Sequence, residues 1–284
     1  MATDEVVRPW YEEKPDLAAD IRADLQRHYP TLRLETNGGL AEIRGTFPIL
    51  DTDGAVLDRW PVSIELPSDD PYALPIVREI GGRIPATLDN HVIDTDGTVC
   101  VLLPEARYRS FPRGAPFRTY LDGPLRSFFT NQSHRARGGS WVHGEWEHGA
   151  VAAVQFYKEL LQSEDDVVGW RGLIAMGLGL GERNPCPCGR RRLVAECHAD
   201  LIAVRDNLGQ QTARARLVMA LQQRFGVASA DVAIRFLRAI RSRPMGHHTC
   251  PCGSGSRVRD CHPDLRKLRD AWPIRRKRRR KTRR

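Results

Sequence analysis

Six of the seven cysteines fall into two copies of one pattern: Cys186-Pro-Cys188 with Cys197-His198, and Cys250-Pro-Cys252 with Cys261-His262. Both copies place eight residues between the second cysteine and the third. Each therefore offers three thiolates and one imidazole, the donor set that Zn²⁺ takes in a closed tetrahedron, and a set this compact makes a small structural knuckle. Two zinc ions per chain are expected. A disulfide framework is the competing reading, but thiols in the cytosol stay reduced, and clusters of this kind are there more often metal sites. In the second copy Gly253-Ser254-Gly255 supplies a turn that lets backbone N–H groups face the sulfurs. The first copy has Gly189 followed by Arg190, Arg191 and Arg192, a weaker hairpin signal.

The elements around these groups can be read from periodicity. Leu17, Ala18, Ile21, Leu25 and Tyr29 recur at spacings of three and four, which predicts an amphipathic helix ended by Pro30. Strand-like runs follow over residues 32–36, 41–50 and 60–66, with Gly38-Gly39 and Asp53-Gly54 as turn signals between them. A fourth short strand is expected over 76–80, so the fold class is α+β with an antiparallel four-stranded meander. A loop rich in Asp, Thr and Gly then leads to the seventh cysteine, Cys100. Helices are expected over 118–129 and 149–162, and, beyond the first knuckle, over 201–208, 213–225 and 230–240.

The chain has 284 residues and a net charge of +9. Residues 1–166 carry 17 basic and 27 acidic side chains, residues 167–264 carry 15 and 7, and residues 265–284 carry 12 and 1. The positive charge thus belongs to the C-terminal part, which disfavours a protein that coats nucleic acid with its whole surface. These three stretches are the expected domains: an α+β domain, a mostly helical module with two knuckles, and a basic tail. Residues 275–284, beginning at Arg275 and ending at Arg284, hold nine basic side chains in ten. Such a segment cannot bury a core, and nucleic acid is its expected partner through counterion release; solvated charge, or attraction to the chain's own acidic half, is the competing reading. No run approaches the roughly 18 apolar residues of a membrane span, so a soluble cytoplasmic protein with no membrane partner is expected.

Two resemblances sharpen these readings. The second copy, CPCGSGSRVRDCH, resembles the SEC-C motif, a zinc knuckle named for the C-terminus of a secretion ATPase, and the first, NPCPCGRRRLVAECH, is similar without the Gly-Ser-Gly turn. That resemblance implies a docking or nucleic-acid-associated accessory module. The order of helix, meander, proline-rich crossover, cysteine loop and later helices resembles the ubiquitin-conjugating enzyme fold. Three segments carry it: Gly45-Thr46-Phe47 with the strand ending Leu66-Pro67, then Pro71-Tyr72-Ala73-Leu74-Pro75-Ile76-Val77, then the loop from Asn90-His91 through Gly97 to Cys100. Counting back from Cys100, the family's His-Pro-Asn positions are Asn90, His91 and Val92, so the residue credited with stabilising the oxyanion is absent from its usual place.

The resemblance implies that Cys100 accepts an acyl group as a thioester and passes it to an amine, since a thiolate is both nucleophile and leaving group. One donor aimed at the oxyanion is worth about 3–4 kcal/mol; with valine at 92, His91 is the expected donor, and Asn90 or a backbone N–H near Cys100 the substitutes. Asp94 and Asp96 could orient or deprotonate the amine, against a competing role in ordinary turn chemistry. The bland reading of Cys100 is a small buried hydrophobe. A papain-like hydrolase is disfavoured, because His134, His143 and His148 sit in no recognisable setting. The implied partners are an activating enzyme and a ubiquitin-like modifier or target protein, in a bacterial setting that includes antiphage defence. The alternative is a non-enzymatic adaptor that docks on nucleic acid or the ribosome.

Overall fold

The computed structural model describes residues 8–93, 96–142, 149–226, 229–242 and 247–263. The chain forms two compact units, Met1–Trp146 and Glu147–Arg284.

In the first unit, α1 (Trp10–Glu13) leads into α2 (Pro15–His28). Pro15 opens α2 where no N–H is needed, and Ala18, Ile21 and Leu25 form its buried face. One antiparallel sheet follows in sequence order: β1 (Leu32–Asn37), β2 (Leu40–Leu50), β3 (Val56–Leu66), β4 (Ile76–Glu79) and β5 (Thr98–Val99). The sheet has five strands where four are expected, because two residues just before Cys100 pair with β4, Val99 opposite Val77 and Thr98 opposite Arg78. Alternating residues of β2 and β3, including Ile43, Phe47, Trp60, Val62 and Ile64, are fully buried. Phe129 stacks on Trp60 with ring centroids 5.4 Å apart, and Tyr29 on Phe47 at 5.4 Å. After α3 (Arg107–Ser110), the helix expected over 118–129 comes in three pieces: α4 (Phe117–Tyr120), a π turn (Leu121–Leu125) and α5 (Arg126–Arg135). Pro124 lies inside the π turn, where its missing N–H forces the wider hydrogen-bonding pattern.

The second unit contains α6 (Gly149–Leu160), α7 (Asp166–Gly177), α8 (Val194–Cys197), α9 (Asp200–Leu208), α10 (Gln210–Phe225), α11 (Ala230–Ser242) and α12 (Val258–Cys261). It is built as a tandem duplication with an offset of 64 residues, the step from Cys186 to Cys250. At that offset α6 answers to α10, α7 to α11 and α8 to α12. Buried positions coincide: Ala153, Phe156, Tyr157 and Leu161 with Leu217, Ala220, Leu221 and Phe225, and Leu173 with Leu237. Caps coincide as well, since Asp165 accepts from the Val167 N–H at 2.9 Å and Ser229 Oγ from the Asp231 N–H at 3.2 Å. The turn after each first helix holds a residue in the left-handed region, Gln162 (φ 54) in one copy and Gly226 (φ 61) in the other. The boundary between the units therefore falls at Trp146/Glu147 rather than at 166. The helix expected over 149–162 opens the first repeat and packs on α7 and α10.

Candidate functional site

Each knuckle is a hairpin closed by a short helix, and the two agree bond for bond. The Cys186 N–H donates to the Arg192 carbonyl at 2.8 Å, as the Cys250 N–H does to Ser256 at 2.8 Å. The Gly189 N–H reaches back to Cys186 at 3.2 Å and the Gly253 N–H to Cys250 at 3.3 Å. Val194 and Val258 are both 0% exposed beneath the hairpins. The weaker turn signal of the first copy makes no difference to this path: Arg191 takes the left-handed conformation (φ 58) that Gly255 takes in the second (φ 76).

Within each cluster the four donor atoms lie within 4.8 Å of one another. Cys186 Sγ is 3.2 Å from His198 Nδ1 and Cys188 Sγ is 3.5 Å from Cys197 Sγ; the second copy repeats these as 3.1 Å for Cys250 with His262 and 3.5 Å for Cys252 with Cys261. A zinc tetrahedron with Zn–S of about 2.3 Å and Zn–N of about 2.0 Å has S···S edges of about 3.8 Å and S···N edges of about 3.5 Å. These S···S and S···N separations agree with that tetrahedron to a few tenths of an ångström. All seven cysteines are free, and 3.5 Å is far beyond a disulfide's roughly 2.05 Å. The eight residues expected as metal ligands thus form two Cys₃His groups, each able to hold one ion, and the donor chemistry fits zinc.

One arginine per copy reaches the knuckle from its own helix. Arg235 on α11 donates from Nε to the Pro251 carbonyl at 2.9 Å. Its counterpart Arg171 on α7 has Nη1 only 3.2 Å from where a Cβ on Gly189 would stand, and Arg235 Nη2 is 3.8 Å from the same point on Gly253. Ligand spacing gives no signal for these arginines, although both lie 15 residues before the first cysteine of their motif.

In the first unit the loop before Cys100 folds back as a narrow hairpin. The Cys100 N–H donates to the His91 carbonyl at 2.7 Å, the Ile93 N–H to Thr98 at 2.8 Å, and Val92 faces Val99 between them. Gly97 (φ 82) is the point of closest approach to the sheet. Its carbonyl accepts from the Glu79 N–H at 2.9 Å, and a Cβ there would stand 2.4 Å from the Glu79 oxygen. Cys100 is half-buried.

The expected catalytic neighbours occupy distinct environments. His91 is 9% exposed, in the left-handed conformation (φ 57), with its ring edge-on to Trp141 at 4.8 Å. The Asn90 amide is spent on Thr87 Oγ1 at 2.8 Å and the Pro85 carbonyl at 3.3 Å, while its own carbonyl accepts from Gln132 at 2.8 Å. Asp96 accepts from the Thr98 hydroxyl at 2.5 Å, the Thr98 N–H at 2.9 Å and Arg78 Nε at 2.8 Å. The Thr98 hydroxyl first, then Arg78, pull its pKa down to about 2, so it is a turn carboxylate that stays ionised at neutral pH. Asp94, His143, His148 and the tail from 275 to 284 lie outside the described residues. Tyr120, not anticipated from sequence, is buried close enough to Cys100 for the thiolate's charge to act on it. Burial first, then that charge, push its pKa well above the ordinary tyrosine range and keep the phenol protonated.

No described helix is long and apolar enough to cross a membrane. No protein-family model, curated protein or solved structure matches the chain.

Proposed function

We propose that the first unit is an acyl carrier of the ubiquitin-conjugating type, with Cys100 as its nucleophile and the knuckles as an appended zinc module. The observation that carries this reading is the half-buried Cys100, its backbone held by main-chain bonds to His91 and, through Gly97, to the sheet. The Cys100 thiolate attacks the carbonyl carbon of a modifier's C-terminal thioester on an activating enzyme. A new C–S bond forms, and the donor's thiolate leaves. An amine of the target then attacks the same carbon, a C–N bond forms, Cys100 leaves as thiolate, and the amine's surplus proton passes to solvent. In this reading the neutral phenol of Tyr120, on which the thiolate's charge acts, and the His91 ring would meet the charge on sulfur and oxygen.

The test is to incubate the full chain with an activating enzyme and modifier from its own source, with ATP, and to run a non-reducing gel. A reductant-sensitive adduct is expected, with Cys100→Ser giving a reductant-resistant ester or none. An adduct that survives in Cys100→Ala, or no adduct with any modifier that charges the activating enzyme, refutes the reading. For the metal, elemental analysis of protein purified without chelator is expected to give two zinc ions per chain.

A further inference from the structure

The two knuckles share one backbone and differ at its tip. Where the second has Ser254, Gly255 and Ser256, the first has Arg190, Arg191 and Arg192, all exposed. Part of that charge has a local use. The Arg190 charge acts on Cys188 and His198, and Arg192 acts on Cys197 and His198 while donating to the Glu196 carbonyl. A dication on three thiolates and a neutral imidazole leaves each centre with one negative charge. A single arginine would balance that, so the first tip keeps two positive charges in excess, whereas the second tip is neutral in its side chains and the exposed Arg257, one residue beyond it, does no more than balance its centre. The second copy meets its sulfurs with a hydroxyl instead, Ser254 Oγ lying 3.3 Å from Cys261 Sγ. Among the described residues no carboxylate pairs with Arg190 or Arg191. Arg191, moreover, holds a left-handed backbone that glycine fills in the other copy.

From this we infer that the tip of the first knuckle, Arg190 to Arg192, is a phosphate-contacting site for a nucleic-acid strand, and that the second knuckle is not. Nothing apolar or aromatic stands among the tip residues, which leaves no wedge for a bilayer and no platform for a base. The contacts are thus to phosphates, independent of sequence, and they weaken as salt displaces the strand's counterion release.

The experiment measures anisotropy of a labelled RNA strand with the full chain, tail included, from about 50 to about 200 mM salt. The comparison is with a graft of the second tip onto the first, Arg190→Ser, Arg191→Gly and Arg192→Ser, whose zinc content is checked. At about 100 mM salt each lost contact on a single strand is worth about fivefold in affinity and about 0.7 in the salt slope. The graft is therefore expected to bind more than tenfold more weakly with a shallower slope. Arg191→Gly alone leaves the two arginines that face the sulfurs and relaxes the backbone, so it remains folded even if the graft loses metal; it is expected to lose about fivefold. Unchanged affinity and slope in Arg191→Gly overturns the assignment, as does a loss confined to phosphatidylserine vesicles with RNA binding intact.

Discussion

The two repeats of the C-terminal unit reach the same hairpin from different side chains, and the places where they differ separate what the fold requires from what it permits. Both keep the ligands, the Pro between the first two cysteines, the glycine that follows them, a fully buried valine and an arginine 15 residues before the first cysteine. Their helices are packed differently. In the first repeat, Cβ atoms on Gly169 and Gly172 would stand 2.5 Å from the Val154 oxygen and 2.7 Å from Tyr157 Cβ, so α6 and α7 meet backbone to backbone. At the same positions the second repeat carries Ala233 and Phe236, and Phe236 stacks on Phe225 with centroids 4.3 Å apart. The metal hairpin therefore constrains its own residues tightly and the helix pair beneath it hardly at all.

That contrast can be broken by experiment, the largest effects first. Cys186→Ser and Cys250→Ser are each expected to lower the metal content from two ions to one and to cost about 4 kcal/mol or more, the scale of losing a structural metal. Elemental analysis with denaturant unfolding checks this, and loss of both ions from a single variant would show the repeats to be interdependent. Gly169→Ala is expected to destabilise by about 1–3 kcal/mol through overpacking, against the usual helix preference for alanine. In the other repeat the sign returns to normal, with Ala233→Gly costing about 1 kcal/mol. Loss of stability in both variants under chemical denaturation, so that glycine is preferred at 169 and alanine at 233, is the outcome that upholds the difference in packing. Asp165→Ala and Ser229→Ala each remove a helix cap and are expected to cost about 1 kcal/mol alike; a large inequality would mean one cap does further work. Smallest is Arg191→Gly, expected to stabilise by about 0.5 kcal/mol, because relief of the left-handed backbone outweighs the added freedom of the unfolded chain. A thermal melt that moves down would remove the strain from the account.

Ligand spacing made the knuckles legible in sequence because a metal tolerates no change of donor. The rest of the duplication was hidden because a buried helix needs only apolar volume: α6 and α10 share one identical pair, Val154/Val218, and otherwise substitute freely. Helix α7 was missed for a related reason. Its residues from Val168 to Gly177 are buried nearly all round, so no polar stripe marks its period. In the first unit the helix and four strands were readable from alternation and turns, while β5, two residues long, carries no pattern at all. Cys100 stood out by elimination. Tyr120 could not, since an aromatic three residues after Phe117 reads as core, and its nearness to the sulfur arises only through the folded path of the chain.

The contact of Gly97 with β4 has one further consequence. The thiol's distance from the sheet is set by a carbonyl, an N–H and the absence of a side chain, none of which changes when neighbouring residues mutate. Positions flanking Gly97 can vary and re-dress the approach to Cys100 for different partners while the sulfur stays where it is. Position 97 itself has no such latitude, so a single added methyl there would shift the reach of the whole loop.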